Sequence, residues 1–142
     1  MKQIFNSVCI LACLIFGIAR KPARQTTTNA DHTPVAILTY NVRNCLGLDN
    51  VVDYERVARA ISKINPDIVT LQELDSSTAR SKHVDVLDKL PGFTGMVPTF
   101  HASIDYDGGK YGIGILSKKK PISIEGIALP GSEEKRSAVG VV

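Results

Sequence analysis

The 142-residue sequence has no tryptophan, 6% aromatic residues, three cysteines and three histidines, and its positive charges exceed its negative ones by only three. A net charge of +3 does not by itself imply a nucleic-acid partner. Basic stripes with interleaved aromatics are also missing, which argues against a dedicated nucleic-acid enzyme. The one compact basic run, Lys118-Lys119-Lys120, reads as a solvated turn between strands. Cysteine is short in supply where it would matter. Cys9 and Cys13 lie in a leader expected to be removed, so Cys45 stands alone and can form no internal disulfide. The mature fold must rest on its core. Cys45, with no base motif beside it, reads as a semi-buried structural thiol. His32, His83 and His101 are isolated in sequence, and a lone histidine is more often a surface or satisfied residue than a ligand.

What is present falls into three regions. Residues 1–19 carry Lys2, an apolar stretch from Ile4 to Ile18 and a small-x-small pattern at Gly17-Ile18-Ala19, the layout of a secretory signal peptide. The run is too short for a membrane span, which needs about 20 apolar residues, and Asn6 and Ser7 interrupt it. Ile10-Leu11-Ala12-Cys13 faintly resembles a lipoprotein box, but an apolar Leu14-Ile15-Phe16 follows where a polar tether belongs, so anchoring at Cys13 is the weaker reading. Either way the expectation is export, to the periplasm or beyond the cell. Residues 20–34 are polar and read as a linker, and residues 35–142 as one domain.

Within the domain, Val35 to Tyr40 is a β-type run, and Asn41 to Asn50 a loop. Asp53 is placed to cap a helix reaching about Asn65, with Tyr54, Val57, Ala58, Ile61 and Ile64 on its apolar face; Pro66 ends it. Ile68 to Leu71 is a buried strand that ends in Gln72-Glu73. Strand, helix and strand in some 40 residues make a βαβ unit with parallel strands. Functional groups gather beyond the carboxyl ends of such strands, where Asn41 and Glu73 both sit. A carboxylate carried to a sheet's edge is costly unless a metal, a cation or hydrogen bonds compensate it. A second helix is expected over Arg80–Leu90, stopped by Pro91-Gly92. Then follow β segments at Phe93–Val97, Thr99–Ile104, Tyr111–Leu116, Pro121–Leu129 and Arg136–Val142, with a turn at Asp107-Gly108-Gly109. Asp105, Asp107 and Lys110 are explained equally by a cleft edge or a hairpin turn.

Five stretches, in order, resemble the endonuclease/exonuclease/phosphatase superfamily, which includes deoxyribonuclease I, exonuclease III and neutral sphingomyelinases. They are Leu38-Thr39-Tyr40-Asn41-Val42, Asp53 to Ile61, Asn65 to Glu73, Tyr111 to Ser117, and Glu134-Lys135-Arg136. The resemblance implies an α/β fold, the N-terminal half of a four-layered α/β sandwich in which a βαβ unit precedes an antiparallel β meander. It implies Mg²⁺- or Mn²⁺-dependent hydrolysis of a phosphoester: nucleic acid, a sphingolipid head group or an inositol phosphate. Glu73 matches the family's metal-binding glutamate, Asn41 the asparagine beside metal and phosphate, and Arg136 a supporting or phosphate-facing cation. Asp75, Arg80 and Tyr111 resemble residues common in bacterial members, without an assigned role. The family's later histidine, Asp-x-Asn and Asp-His motifs have no counterpart here, so the domain is expected to be truncated on its C-terminal side. The competing expectation is an inactive remnant, or a module that binds phosphate or metal. No obligate protein partner is expected.

Overall fold

The computed structural model describes residues 33–131 and 135–142. The expected signal peptide, most of the expected linker, Cys9, Cys13, His32 and Glu134 lie outside the described residues. No helix among the described residues is long and apolar enough to cross a membrane.

The βαβ unit forms as its pattern dictates. Strand β1 (Ile37–Asn41) leads through a short 3-10 turn (Arg43–Cys45) to helix α1 (Tyr54–Ile64), and α1 returns to strand β2 (Ile68–Ser76). The Asp53 carboxylate accepts the Arg56 amide at 2.8 Å, satisfying one of the amides a helix start leaves free. At the other end Asn65 adopts φ 53° and its N–H returns to the Ile61 carbonyl, a left-handed cap that Pro66 then seals. Val57, Ala58 and Ile61 are buried, whereas Ile64, expected on the same face, is exposed. β1 and β2 pair in parallel from Ile37 opposite Ile68 to Asn41 opposite Gln72.

Strands β3 (Val97–Tyr106) and β4 (Gly109–Ser117) complete a four-stranded sheet in the order β1-β2-β4-β3. The two expected segments from Phe93 to Ile104 are therefore one strand beginning at Val97. Pro98 does not break it, because β3 is an edge strand. The helical residues join Val69, Leu71 and Leu74 of β2 in one core, which also holds Leu87, Leu90 and Leu116. Phe100 packs on that core while its neighbour His101 faces the other way, against Gly126 of strand β5 (Ile124–Leu129). β5 and strand β6 (Arg136–Val141) pair antiparallel as a separate two-stranded sheet.

The expected helix over Arg80–Leu90 is corrected. Only Val86–Lys89 (α2) is helical, and Pro91 does not stop a helix but opens a further short turn, α3 (Pro91–Thr94). The reason is competition for the segment's polar groups. Asp107 takes the amides of Ala79 and Arg80 through its carbonyl and its carboxylate, at 2.9 and 2.7 Å. Asp85, which would cap the helix, instead accepts the hydroxyls of Ser76 and Ser77 at 2.7 and 2.9 Å. Lys82 and His83 then adopt φ 57° and 60°, outside helical space.

Asp67 stitches the end of the sheet away from Asn41: it accepts the Ala36 amide at 2.8 Å and pairs with Lys118 at 3.0 Å. The Ala36 hydrogen bond first, then Lys118, holds its carboxyl below the usual carboxylate value. A depressed carboxyl contributes stability above its unfolded pKa, about 3.9, and loses it as pH falls through the folded value. In chemical denaturation, the stability gap between wild type and Asp67→Asn is expected to narrow as pH drops from about 6 to about 3. Replacing the cap, Asp53→Ala, is expected to cost about 1 kcal/mol and lower Tm by roughly 4–8 °C.

Candidate functional site

Strand alternation sets the problem that this site solves. Val69 and Leu71 face the core, so strict alternation would send residue 73, a glutamate, in after them. Instead the ladder slips: Leu71 pairs with Gly114 and Leu74 with Gly112, with a bulge between them. Glu73 takes up φ 60°, Leu74 occupies the core position, and the carboxylate leaves it. The expected strand end at Gln72-Glu73 is thus a kink, and β2 continues to Ser76. β4 makes room with glycines. A Cβ on Gly114 would stand 2.7 Å from Leu74 Cδ1, and one on Gly112 would strike the His101 carbonyl.

Asn41, at the end of β1, donates from Nδ2 to Glu73 Oε1 at 2.7 Å and accepts the Arg43 amide on Oδ1 at 3.1 Å. Both neighbours require this orientation, since a carboxylate only accepts and an amide N–H only donates. Past Asn41 the chain runs through three left-handed residues, Arg43, Asn44 and Cys45, at φ 47°, 52° and 61°. The turn brings Asn44 Oδ1 within 2.6 Å of the Asp75 amide, where it takes the place of a strand carbonyl after β1 has ended. Each non-glycine residue held in this region costs about 1–3 kcal/mol, and such strain persists only where surroundings over-determine it. Cys45 is buried, and burial first, then Asp53, pushes its thiol up to about 12. It stays protonated and is no nucleophile.

On the far side of Glu73, Asp75 is buried at 1% exposure. Arg80 grips it with two bonds, Nε to Oδ2 at 2.6 Å and Nη2 to Oδ1 at 2.8 Å, and the Thr78 hydroxyl donates at 2.9 Å. The Arg80 guanidinium lies over the Tyr106 ring at 4.5 Å and the Tyr111 ring at 5.5 Å. The Asp75 hydrogen bonds hold its pKa above the ordinary arginine value. Asp75, Arg80 and Tyr111 thereby acquire a structural role that the sequence did not assign.

Glu73, Asp75, Arg80 and Tyr111 line one cavity of about 580 Å³ with Arg43 and Lys82. The structure brings Asn41 and Glu73 together. Arg136 begins β6, opposite Leu129 in the second sheet, and does not line this cavity. Asp105 and Lys110 pair across the β3–β4 hairpin, and with Asp107 they border a separate hollow at its tip. His83 holds the Ser77 carbonyl at 3.2 Å. Sequence reasoning missed Arg43 and Lys82; the spacing Val69, Leu71, Leu74 was the available sign that the strand kinks beside them.

Among the described residues no three His, Cys, Asp or Glu side chains gather as a ready-made metal cage. Asp75 has both oxygens engaged by Arg80 and Thr78. A hard divalent ion held by one carboxylate, waters and a substrate phosphate fits Glu73 as that carboxylate. In this geometry Asn41 fits as the group that aims it, with its own oxygen occupied by Arg43.

Residues 38–138 match the Endonuclease/Exonuclease/phosphatase family. A search of curated proteins gave no match. Among solved structures, an endonuclease/exonuclease/phosphatase from Beutenbergia cavernae superposes with a TM-score of 0.59 at 20% identity, over 75% of this chain and 33% of that one. A family protein from Leptotrichia buccalis gives 0.53 at 17%, over 76% and 49%. A humanized D. rerio TDP2 gives 0.51 at 22%, over 76% and 42%. The chain thus spans a third to a half of the length of these structures. The likeness is one of fold: a mixed α/β domain that is part of the family's α/β sandwich.

Arg80→Met is expected to cost about 3 kcal/mol in urea denaturation, because it strands a buried carboxylate with one hydroxyl. Adding Asp75→Asn to that variant is expected to recover most of the loss. A double variant as unstable as Arg80→Met would show that the pairing is not what the segment depends on.

Proposed function

Because the chain belongs to the endonuclease/exonuclease/phosphatase family of nuclease- and phosphatase-type hydrolases, we propose that it is the metal-ligand portion of an exported, Mg²⁺- or Mn²⁺-dependent phosphoester hydrolase. The observation that carries this reading is the Asn41–Glu73 pair: a carboxylate ejected from a buried strand by a bulge and aimed by an amide 2.7 Å away. Glu73 supplies the protein's oxygen ligand. Asn41 fixes that carboxylate's rotamer, so that the ligand is oriented before metal or substrate arrives. A divalent ion bound there would polarise the phosphoryl group and offset charge on the leaving oxygen. The substrate is a phosphoester of the kinds named above, and the export proposal rests on the leader composition alone.

General acid–base assistance is worth about 10²–10⁴ in rate, and the cavity's lining offers no histidine for it. The purified chain is therefore expected to bind Mn²⁺ in a Glu73-dependent manner while hydrolysing bis(p-nitrophenyl) phosphate barely above background. Titration of Mn²⁺ by calorimetry is the check. Equal binding by wild type and Glu73→Gln overturns the metal assignment. Robust hydrolysis that Glu73→Ala abolishes overturns the division of the site between this chain and other residues.

A further inference from the structure

The cavity beside Glu73 holds more than one phosphoryl group requires. Its volume, about 580 Å³, lies within the ~300–1,000 Å³ of small-molecule sites. One wall is apolar, built from Leu46, Val52 and Val84. The lip is cationic: Arg43 comes from the turn after β1, and Arg80 and Lys82 from the segment after β2.

These three cations are not equivalent. Arg80 is committed to Asp75 and stacked on two tyrosine rings, a fixture of the wall. Arg43 and Lys82 are exposed, and among the described residues neither side chain makes an ion pair. Both are nevertheless held at positive φ, 47° and 57°, as Glu73 is at 60°. A lysine or arginine needed only for solubility could sit on relaxed backbone. Four of the residues lining the cavity lie at positive φ: Asn44 and the three charged groups that, among the described residues, make no ion pair, one acidic and two basic. Strain of this kind clusters at ligand clamps and active sites.

We propose that Arg43 and Lys82 form a second-anion subsite, which takes a phosphate of the substrate other than the one at Glu73. This deepens the proposed function and rests on it for the position of the scissile group. It narrows the substrate class to phosphoesters carrying a further phosphate on the same molecule. The apolar wall faces the body that joins the two phosphates. A polynucleotide and a small bisphosphorylated alcohol share that chemistry.

The test uses the full chain in saturating Mn²⁺, after the Mn²⁺ titration of Glu73 has been read by itself, so that a failure of metal binding is seen before and apart from a failure here. Two probe pairs are titrated by calorimetry: inositol bisphosphate against inositol monophosphate, and a 5′-phosphorylated dinucleotide against the mononucleotide. In at least one pair the doubly phosphorylated probe is expected to bind about tenfold more tightly, and that pair identifies the source of the phosphate. The Arg43→Gln, Lys82→Gln variant is expected to bring the preference within about twofold while keeping the wild-type Tm. The Lys119→Gln, Lys120→Gln variant, altered at the other end of the sheet, is expected to keep it. No preference in either pair, a preference that survives in Arg43→Gln, Lys82→Gln, or one lost equally in Lys119→Gln, Lys120→Gln overturns the subsite. The Mn²⁺ titration of Glu73 stands or falls separately.

Discussion

One extra residue in β2 governs the placement of charge in this domain. Strand geometry offers only two directions, and the core had claimed the one residue 73 was due to take. The bulge resolves this by letting Leu74 fill the core and turning Glu73 out at φ 60°. Everything around the kink answers to it. Gly112 and Gly114 leave space on the partner strand, and Asn44 replaces the missing ladder acceptor for the Asp75 amide. Asn41 then meets the carboxylate on arrival. Among the described residues no buried side-chain nitrogen or oxygen is left without a partner, so the kink leaves no polar side chain uncompensated in the core.

The two carboxylates that flank the kink have opposite fates, decided by their neighbours. Asp75 is buried and saturated, with a bidentate arginine and a hydroxyl, and serves as an anchor. Its arginine in turn stiffens the segment that carries Lys82. Glu73 is only partly buried and touches a neutral amide, so its charge remains available to a cation. Carboxylates two positions apart on one strand thus differ in place, one tied into the fold and the other left facing the cavity.

Much of this was legible in the sequence where local rules are strong. The α1 helix follows from an Asp53 cap, a 3.6-residue apolar period and an Asn65-Pro66 stop, and the parallel β1–β2 pair follows from the short βαβ spacing. That spacing was also enough to set Asn41 beside Glu73. What escaped was decided by distant partners. Nothing local says that Asp107 will capture the amides of Ala79 and Arg80 and so prevent a helix, or that Ser76 and Ser77 will occupy the Asp85 carboxylate. The basic lip was hidden because Arg43 and Lys82 lie 39 positions apart and meet only through the fold. Arg136, taken from resemblance alone, begins a strand of the second sheet and is not among the residues that line the cavity.

The glycine-backed kink also changes what a sequence gap means in this fold. A strand tolerates many substitutions, but its alternation is counted in whole residues, and losing one at Gln72 or Glu73 would restore the regular ladder. Leu74 would keep its core place opposite Gly112, now on a regular strand, and the acidic group would be lost or moved into the position of Gln72. In a loop such as Lys118 to Ser123, a single insertion or deletion only lengthens or shortens a connection. A relative aligned with one residue missing opposite Glu73 would therefore share the architecture and lack the carboxylate at the cavity, however similar the remainder of its sequence.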